Sequence, residues 1–233
     1  MRRRPVLLAV VGATVGAALA LSGCSGEDEA PTRAPAERLA AAKAAFDGAE
    51  TVALDLTSRD VPPRENGVTA AKGAGVIDAT EPKFQGTITG TIKGVAGTVD
   101  LICLGETAYM KFFTPDYVET DLSTLNAPNP ALFFDPATGI SSLLTEATGA
   151  KDGGRTRAGS EVLTKVDGTL PGQRIEDLFH LGDGTGSYEV SFGLTEADQL
   201  RTASLTGPFF PGTTATYVLT LTDYGKPVEV TRP

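Results

Sequence analysis

The 233-residue chain has no tryptophan, one histidine, two cysteines and two methionines, and aromatic residues make up only 6% of it. Each scarcity removes a class of function. His180, alone in "DLFHLGDG", has no second imidazole to share work with, and one ring without a partner serine or cysteine makes no acyl-transfer machinery. The same shortage of histidine and paired cysteine argues against a metal site. GxSxG, HExxH and Walker A patterns are missing. "LGDGTGS" at 181–187 lacks the lysine of a phosphate loop and the spaced carboxylates of a calcium loop, so it reads as a turn. Neither catalysis nor a cofactor is expected. Positive charge is also in deficit: 20 Lys and Arg against 29 Asp and Glu leave a formal charge of −9, which argues against nucleic acid and against electrostatic docking on anionic lipid.

What is present begins with Arg2, Arg3 and Arg4, an apolar stretch from Val6 to Leu21, and "LSGC" at 21–24. The apolar run is short for a membrane span and a polar segment follows at once, so residues 1–23 read as an export signal. The tetrapeptide resembles the bacterial lipobox, in which the signal is cut before the cysteine and its thiol carries diacylglycerol. An ordinary secretory signal with a chance cysteine is the alternative. Acylation at Cys24 predicts durable anchoring, since two chains suffice for it, on the extracytoplasmic face of the cell membrane. Cleavage removes three arginines and moves the charge from −9 to −12. Cys103, in the apolar setting "VDLICLG", is then the remaining thiol and reads as a buried small hydrophobe with no disulfide partner.

Residues 24–35 read as a flexible tether and residues 36–233 as a single domain. "AERLAAAKAAF" predicts a helix with Leu39, Ala42 and Phe46 on one face and Gly48 at its end. Short alternating segments follow at 51–59, 67–79, 83–94, 97–105 and 107–113, and again at 161–170, 186–194, 199–207 and 214–225, which predicts an antiparallel meander. Between the groups, Asp135 and Pro136 open an expected helix at 136–149 whose apolar face is Ile140, Leu143, Leu144 and Ala147. "RIEDLFHLG" adds a short helical turn. Residues 114–134, with three prolines, read as an excursion over the surface or over a sheet face.

"FQGTITGTI" at 84–92 gives alternate places on one strand face to glycine. Placing the tip of the first hairpin at Val95 and Ala96 and the next at Gly105 and Glu106 brings one set of residues to a common face. The set is Phe84, Ile88, Ile92, Val99, Leu101, Cys103, Met110 and Phe112, with Gly86, Gly90 and Ala108 among them. Missing side chains beside large ones leave volume to fill, and the alanine- and serine-rich helices offer few bulky plugs. A void lined this way suits fatty acyl chains; glycines that only help a curved sheet twist are the competing reading. The opposite face carries Ile102, Leu104, Tyr109 and Phe113 and is only partly polar.

The lipobox, the helix entering "TVALDLTSRD", the central "FDPATGISSLLTEATGAKDGGRTR" and the closing "YVLTLTDYGKPVEVTRP" together resemble the LprG and LppX family of actinobacterial lipoproteins. The resemblance implies an α+β fold: a strongly curved antiparallel sheet, a half barrel, with helices across its concave side enclosing an apolar cavity, similar in outline to the Lol carriers. It implies that Ile140, Leu143 and Leu144 face that cavity and that Val99, Leu101, Met110 and Phe112 form its wall. It further implies acylated lipid or lipoglycan cargo, carriage within the cell envelope and a membrane exporter as partner. A non-catalytic envelope assembly module, with a filled core and a binding surface on the convex face, is the alternative.

Overall fold

Alternation of apolar and polar residues builds nearly the whole domain from strands. The computed structural model describes residues 33–63 and 65–233; the expected signal, Cys24 and most of the expected tether lie outside the described residues. Helix α1 (Pro35–Asp47) buries Leu39, Ala42 and Phe46 and ends at Gly48. Six strands follow: β1 (Thr51–Arg59), β2 (Gly67–Val76), β3 (Lys83–Ile92), β4 (Val95–Leu104), β5 (Thr107–Lys111) and the two-residue β6 (Val118–Glu119). Then come 3-10 turns at Leu122–Leu125 and Pro130–Phe134, helix α2 (Ser142–Glu146), β7 (Thr148–Ala158), β8 (Glu161–Pro171), helix α3 (Gly172–Phe179), β9 (Ser187–Leu194), β10 (Leu200–Phe210) and β11 (Thr213–Thr222).

All eleven strands form one antiparallel sheet in the order β6-β5-β4-β3-β2-β1-β11-β10-β9-β8-β7. The first and last strands are therefore neighbours at its middle, and β6 and β7 are its free edges. The sheet curves into a half barrel without closing, and residues 120–147 must cross from one edge to the other to connect them. That crossing forms a roof over the concave face. Asn129 fixes it by donating from Nδ2 to the Gly105 carbonyl at 2.8 Å. Phe134 stacks on Phe84 at 6.1 Å between ring centres. Ser141 donates to Asp47 of α1 at 2.6 Å, and Arg174 of α3 contacts Glu146 at 2.6 Å. At the far side, Asp198 is buried between Arg33 and Arg38, which pins α1 to the β9–β10 turn.

The expected elements stand with three corrections. The first hairpin turns at Lys93 and Gly94, both with positive φ, and pairs Ile92 with Val95. A glycine at the second turn position relieves the strain of that left-handed pair better than "VA" would. The register shifts by an even number, so the inward set is unchanged. The expected helix at 136–149 shrinks to α2. Asp135 caps a turn, accepting from the amides of Ala137 and Thr138, and Ile140 then bonds back to Phe133 across a tight reversal at Gly139. Residues from Thr148 on become β7, an edge strand with two register shifts and both faces largely wet, so its sequence carries no apolar alternation.

Inward-facing residues line up in rows across the strands. One row runs Leu219, Leu56, Ala71, Ile88 and Val99; the next runs Leu221, Leu54, Gly73, Gly86, Leu101 and Met110; a third runs Val52, Gly75, Phe84, Cys103 and Ala108. The glycines of the last two rows do not open onto empty space. A Cβ on Gly86 would lie 2.3 Å from the Lys72 carbonyl oxygen and 2.7 Å from the Phe84 ring, and one on Gly75 would strike the Phe134 ring at 2.4 Å. Rings and neighbouring backbone occupy the missing volume, as in aromatic coverage of strand glycines.

The convex face over β4 and β5 is covered by the C-terminal tail. Gly225 bonds to Thr51 at 2.9 Å and Thr51 donates to the Lys226 carbonyl at 2.7 Å, after which Val228 and Val230 pack with Ile102, Leu104, Tyr109 and Tyr117. Arg232 ends over the Tyr109 ring at 5.4 Å. Tyr109 is thus buried, whereas Phe113 stays 86% exposed.

Two outcomes follow in urea unfolding. Gly86→Ala lowers stability by about 1–3 kcal/mol through overpacking against β2, while Thr87→Ala, on the exposed side of the same strand, changes it by less than about 0.5 kcal/mol. Val230→Ala costs about 1–2 kcal/mol by uncovering Ile102 and Tyr109.

Candidate functional site

The inward rows are apolar, yet several of their members are only half buried: Leu56, Ala71, Ile88 and Met110 face the interior and still retain surface. The surface belongs to a cavity between the concave sheet and the roof. Its atom-free space is about 1490 Å³ with the open mouth included, of which the centre of a water-sized sphere reaches about 140 Å³. One water needs roughly 10–15 Å³ on the latter measure, so the space is narrow but many waters large.

Depth can be followed along β3. The floor is the ring of Phe84, held under Phe134. Above it the walls are Leu54, Leu101 and Met110, then Leu219, Leu56, Ala71, Ile88 and Val99, then Tyr217, Leu205, Gly90 and Gly97. The outermost wall residues are Ile92 and Val95, and Val95 is 52% exposed, which places the mouth at the β3–β4 hairpin. From Ile92 to Phe84 is eight residues of strand, about 27 Å. The second half of the sheet contributes Phe192, Ala203 and Phe209.

The roof closes the other side with Leu122, Leu125, Ala127, Pro128, Pro130, Phe133, Ile140 and Leu143, and the end of α3 adds Phe179 and Leu181. Phe133 and Phe179 meet at 5.5 Å between ring centres, joining roof to α3. Two short Asx caps shape this stretch. Asp121 accepts from Ser123 N at 2.9 Å, and Asn129 from Ala131 N at 3.0 Å. Hydrogen bonds from Ser123 hold the Asp121 carboxyl below its usual range. Of the 31 lining residues, none is charged and Tyr217 alone carries a side-chain oxygen or nitrogen. Such a wall offers dispersion contacts and exclusion of water, and almost no directional bonding.

Ten of the sequence-derived cavity residues line this space: Phe84, Ile88, Gly90, Ile92, Val99, Leu101, Met110, Phe112, Ile140 and Leu143. Three do not reach it. Gly86 lies beneath the Phe84 ring. Cys103 is fully buried in the row behind Phe84. Leu144 is buried but lies about 100° round α2 from Leu143. The walls contributed by β10, β11 and roof residues 122–133 were not singled out from the sequence. Alternation in "TATYVLTL" carries the signal for Tyr217 and Leu219, whereas the proline-rich roof carries none. His180 is exposed at the left-handed end of α3, away from the wall.

Burial pushes the Cys103 thiol up to about 12 despite the opposing Ala131 amide. At pH 8 it is therefore protonated and shielded, so iodoacetamide labels it only after unfolding; fast labelling of the native protein counts against this packing.

The family model described as LppX_LprAFG lipoprotein matches residues 34–230. Among solved structures, LprF from Mycobacterium bovis is similar with a TM-score of 0.73 at 16% identity, covering 85% of this chain and 96% of its own. The lipoprotein LppX from Mycobacterium tuberculosis is similar with a TM-score of 0.63 at 17% identity, covering 84% of this chain and 98% of its own. No curated protein sequence matches the chain. The half-barrel sheet is common to both solved structures, and the match over 34–230 settles its membership: the chain belongs to the LppX_LprAFG lipoprotein family.

Proposed function

We propose that this protein is a membrane-anchored carrier that sheathes the acyl chains of a lipid or lipoglycan in its cavity and moves it within the cell envelope, with no catalytic step. The observation that supports this reading is a deep space whose 31 wall residues are almost wholly hydrocarbon. Chains lying there exchange water for apolar contact, worth about 0.8 kcal/mol per buried methylene, while a polar head stays at the mouth beside Val95. That lowers the cost of taking a lipid out of a bilayer. The anchor is Cys24, on the extracytoplasmic face, and the tether up to α1 gives the mouth reach toward the membrane surface. A membrane exporter is the natural partner for delivery or receipt of such cargo.

The alternative, an assembly module using its convex face, is disfavoured at the patch of Ile102, Leu104 and Tyr109, which the tail residues Val228 and Val230 already occupy.

Native mass spectrometry of the protein released from membranes tests the reading. The wild-type chain retains lipid, and Ile88→Trp, which fills the middle row of the wall, loses most of it while keeping its thermal stability. Gly90→Trp is the wrong probe, because a Cβ there already meets the Gly67 carbonyl oxygen at 2.4 Å and disturbs the β2–β3 ladder. Wild-type protein that carries no lipid overturns the proposal.

A further inference from the structure

The lip of the cavity carries an aromatic ring that the fold does not bury. Phe113 is 86% exposed, more than any other large apolar side chain among the described residues. Its backbone has a φ of +56°, a left-handed conformation that a bulky residue adopts only under strain. The ring rests on that of Phe112 at 4.1 Å between centres. Phe112 in turn lines the cavity and covers Gly97 of the β3–β4 hairpin, where a Cβ would meet its ring at 2.8 Å. Hydrocarbon therefore runs from the cavity wall over Phe112 to Phe113, beside the exposed Val95. The hairpin itself is fixed by other means, since Asn66 accepts from the Gly94 amide at 3.2 Å. A strained, solvated ring at the mouth of an apolar cavity points to a partner outside the fold.

Size and charge select that partner. The two segments of the lip, "TIKGVAG" at 91–97 and "KFFTP" at 111–115, hold two lysines and no carboxylate in a chain of net charge −9. Lys111 stands across from Asp100 and 5.9 Å from the Tyr117 ring centre, while Lys93 is exposed at the tip. Two rings and a valine are too few for a stable protein interface, which takes about 800 Å² per partner. They suit a phospholipid surface, where apolar side chains enter the boundary of headgroups and acyl chains and lysines keep their charge at the phosphates.

The proposed anchor does not supply this contact. Arg33 and Arg38 tie the start of α1 to Asp198 in the β9–β10 turn, at the end of the sheet opposite the β3–β4 hairpin. About 33 Å of strand separates the two ends, and the ten residues after Cys24 extend to about 33–36 Å at most. A taut tether lets the mouth reach the membrane but does not hold it there.

We propose that Phe113, with Phe112 and Val95, forms a docking lip that inserts into the surface of a phospholipid bilayer and sets the mouth against its acyl region. A chain then passes between bilayer and cavity without crossing water. The proposal shares only the mouth with the carrier reading, and the two fail separately. Because the chain has no tryptophan, Phe113→Trp is a single fluorescent reporter, and Val162→Trp, exposed at the opposite end of the sheet, is its control. The full chain, purified from membranes, is placed in vesicles of phosphatidylcholine brominated on its acyl chains. Emission of Phe113→Trp shifts to the blue and is quenched about twofold, that of Val162→Trp is unchanged, and the quenching is lost on extraction from the vesicles. Equal emission changes in the two variants overturn the assignment, as does no change in Phe113→Trp. So does a shift without quenching, which reports a second copy or another protein on the lip, or quenching that survives extraction, which reports cavity lipid alone. Phe113→Asn, whose side chain tolerates left-handed backbone, keeps or raises Tm and slows phosphatidylcholine uptake by the lipid-stripped protein about tenfold, read by native mass spectrometry. A lower Tm or an unchanged rate overturns the assignment. Quenching with no uptake in either form overturns the carrier reading alone.

Discussion

A curved sheet of eleven strands presents more hydrocarbon on its concave side than three short helices are able to cover, and the rest of the structure follows from that surplus. Helix α1 meets it at one end through Leu39 and Phe46, and α2 offers only Leu143 and Leu144. The remaining cover is a crossing segment with little regular structure, held by a few anchors such as Asn129 and the Phe84–Phe134 stack. Close packing is reached at the floor, where rings lie directly on strand glycines, and is given up toward the β3–β4 hairpin. The cavity is where covering material runs out.

Glycine and phenylalanine divide the work of setting that boundary. Where two strands approach so closely that a methyl would meet a carbonyl, glycine is required and an aromatic ring from a neighbouring position or from the roof lies over it. Phe84 serves Gly73 and Gly86 together, and Phe134 serves Gly75. The middle row, by contrast, carries Leu56, Ala71 and Ile88, and those side chains remain partly uncovered. A sheet able to coil tightly and still leave room at one end needs both arrangements.

Much of this was legible in the primary structure because alternation with period two survives wherever one strand face is buried. The inward set from Phe84 to Met110 follows from parity alone, which is why an error of placement at the Lys93–Gly94 turn did not move any residue to the wrong face. Volume was not legible. "FQGTITGTI" implies missing side chains but not the ring of its own Phe84 folding over Gly86, a contact decided by a rotamer. Strand β7 escaped because both of its faces are wet, and the roof because prolines and Asx caps leave no periodic trace. Covering of the convex face by Val228 and Val230 depends on where eleven residues after the last strand travel, which no local pattern specifies.

The central pairing of β1 with β11 joins segments roughly 160 residues apart in the chain. Every other ladder links strands that are consecutive in the chain, so each half of the sheet has a local route to assembly. The seam has none: closing so long a loop is entropically expensive and its contacts reward the chain only at the end. Synthesis delivers β11 last, and until it arrives β1 stands as an open edge with its hydrogen-bonding groups unpaired, the state in which such a protein most needs a chaperone and is most prone to pair with a neighbour.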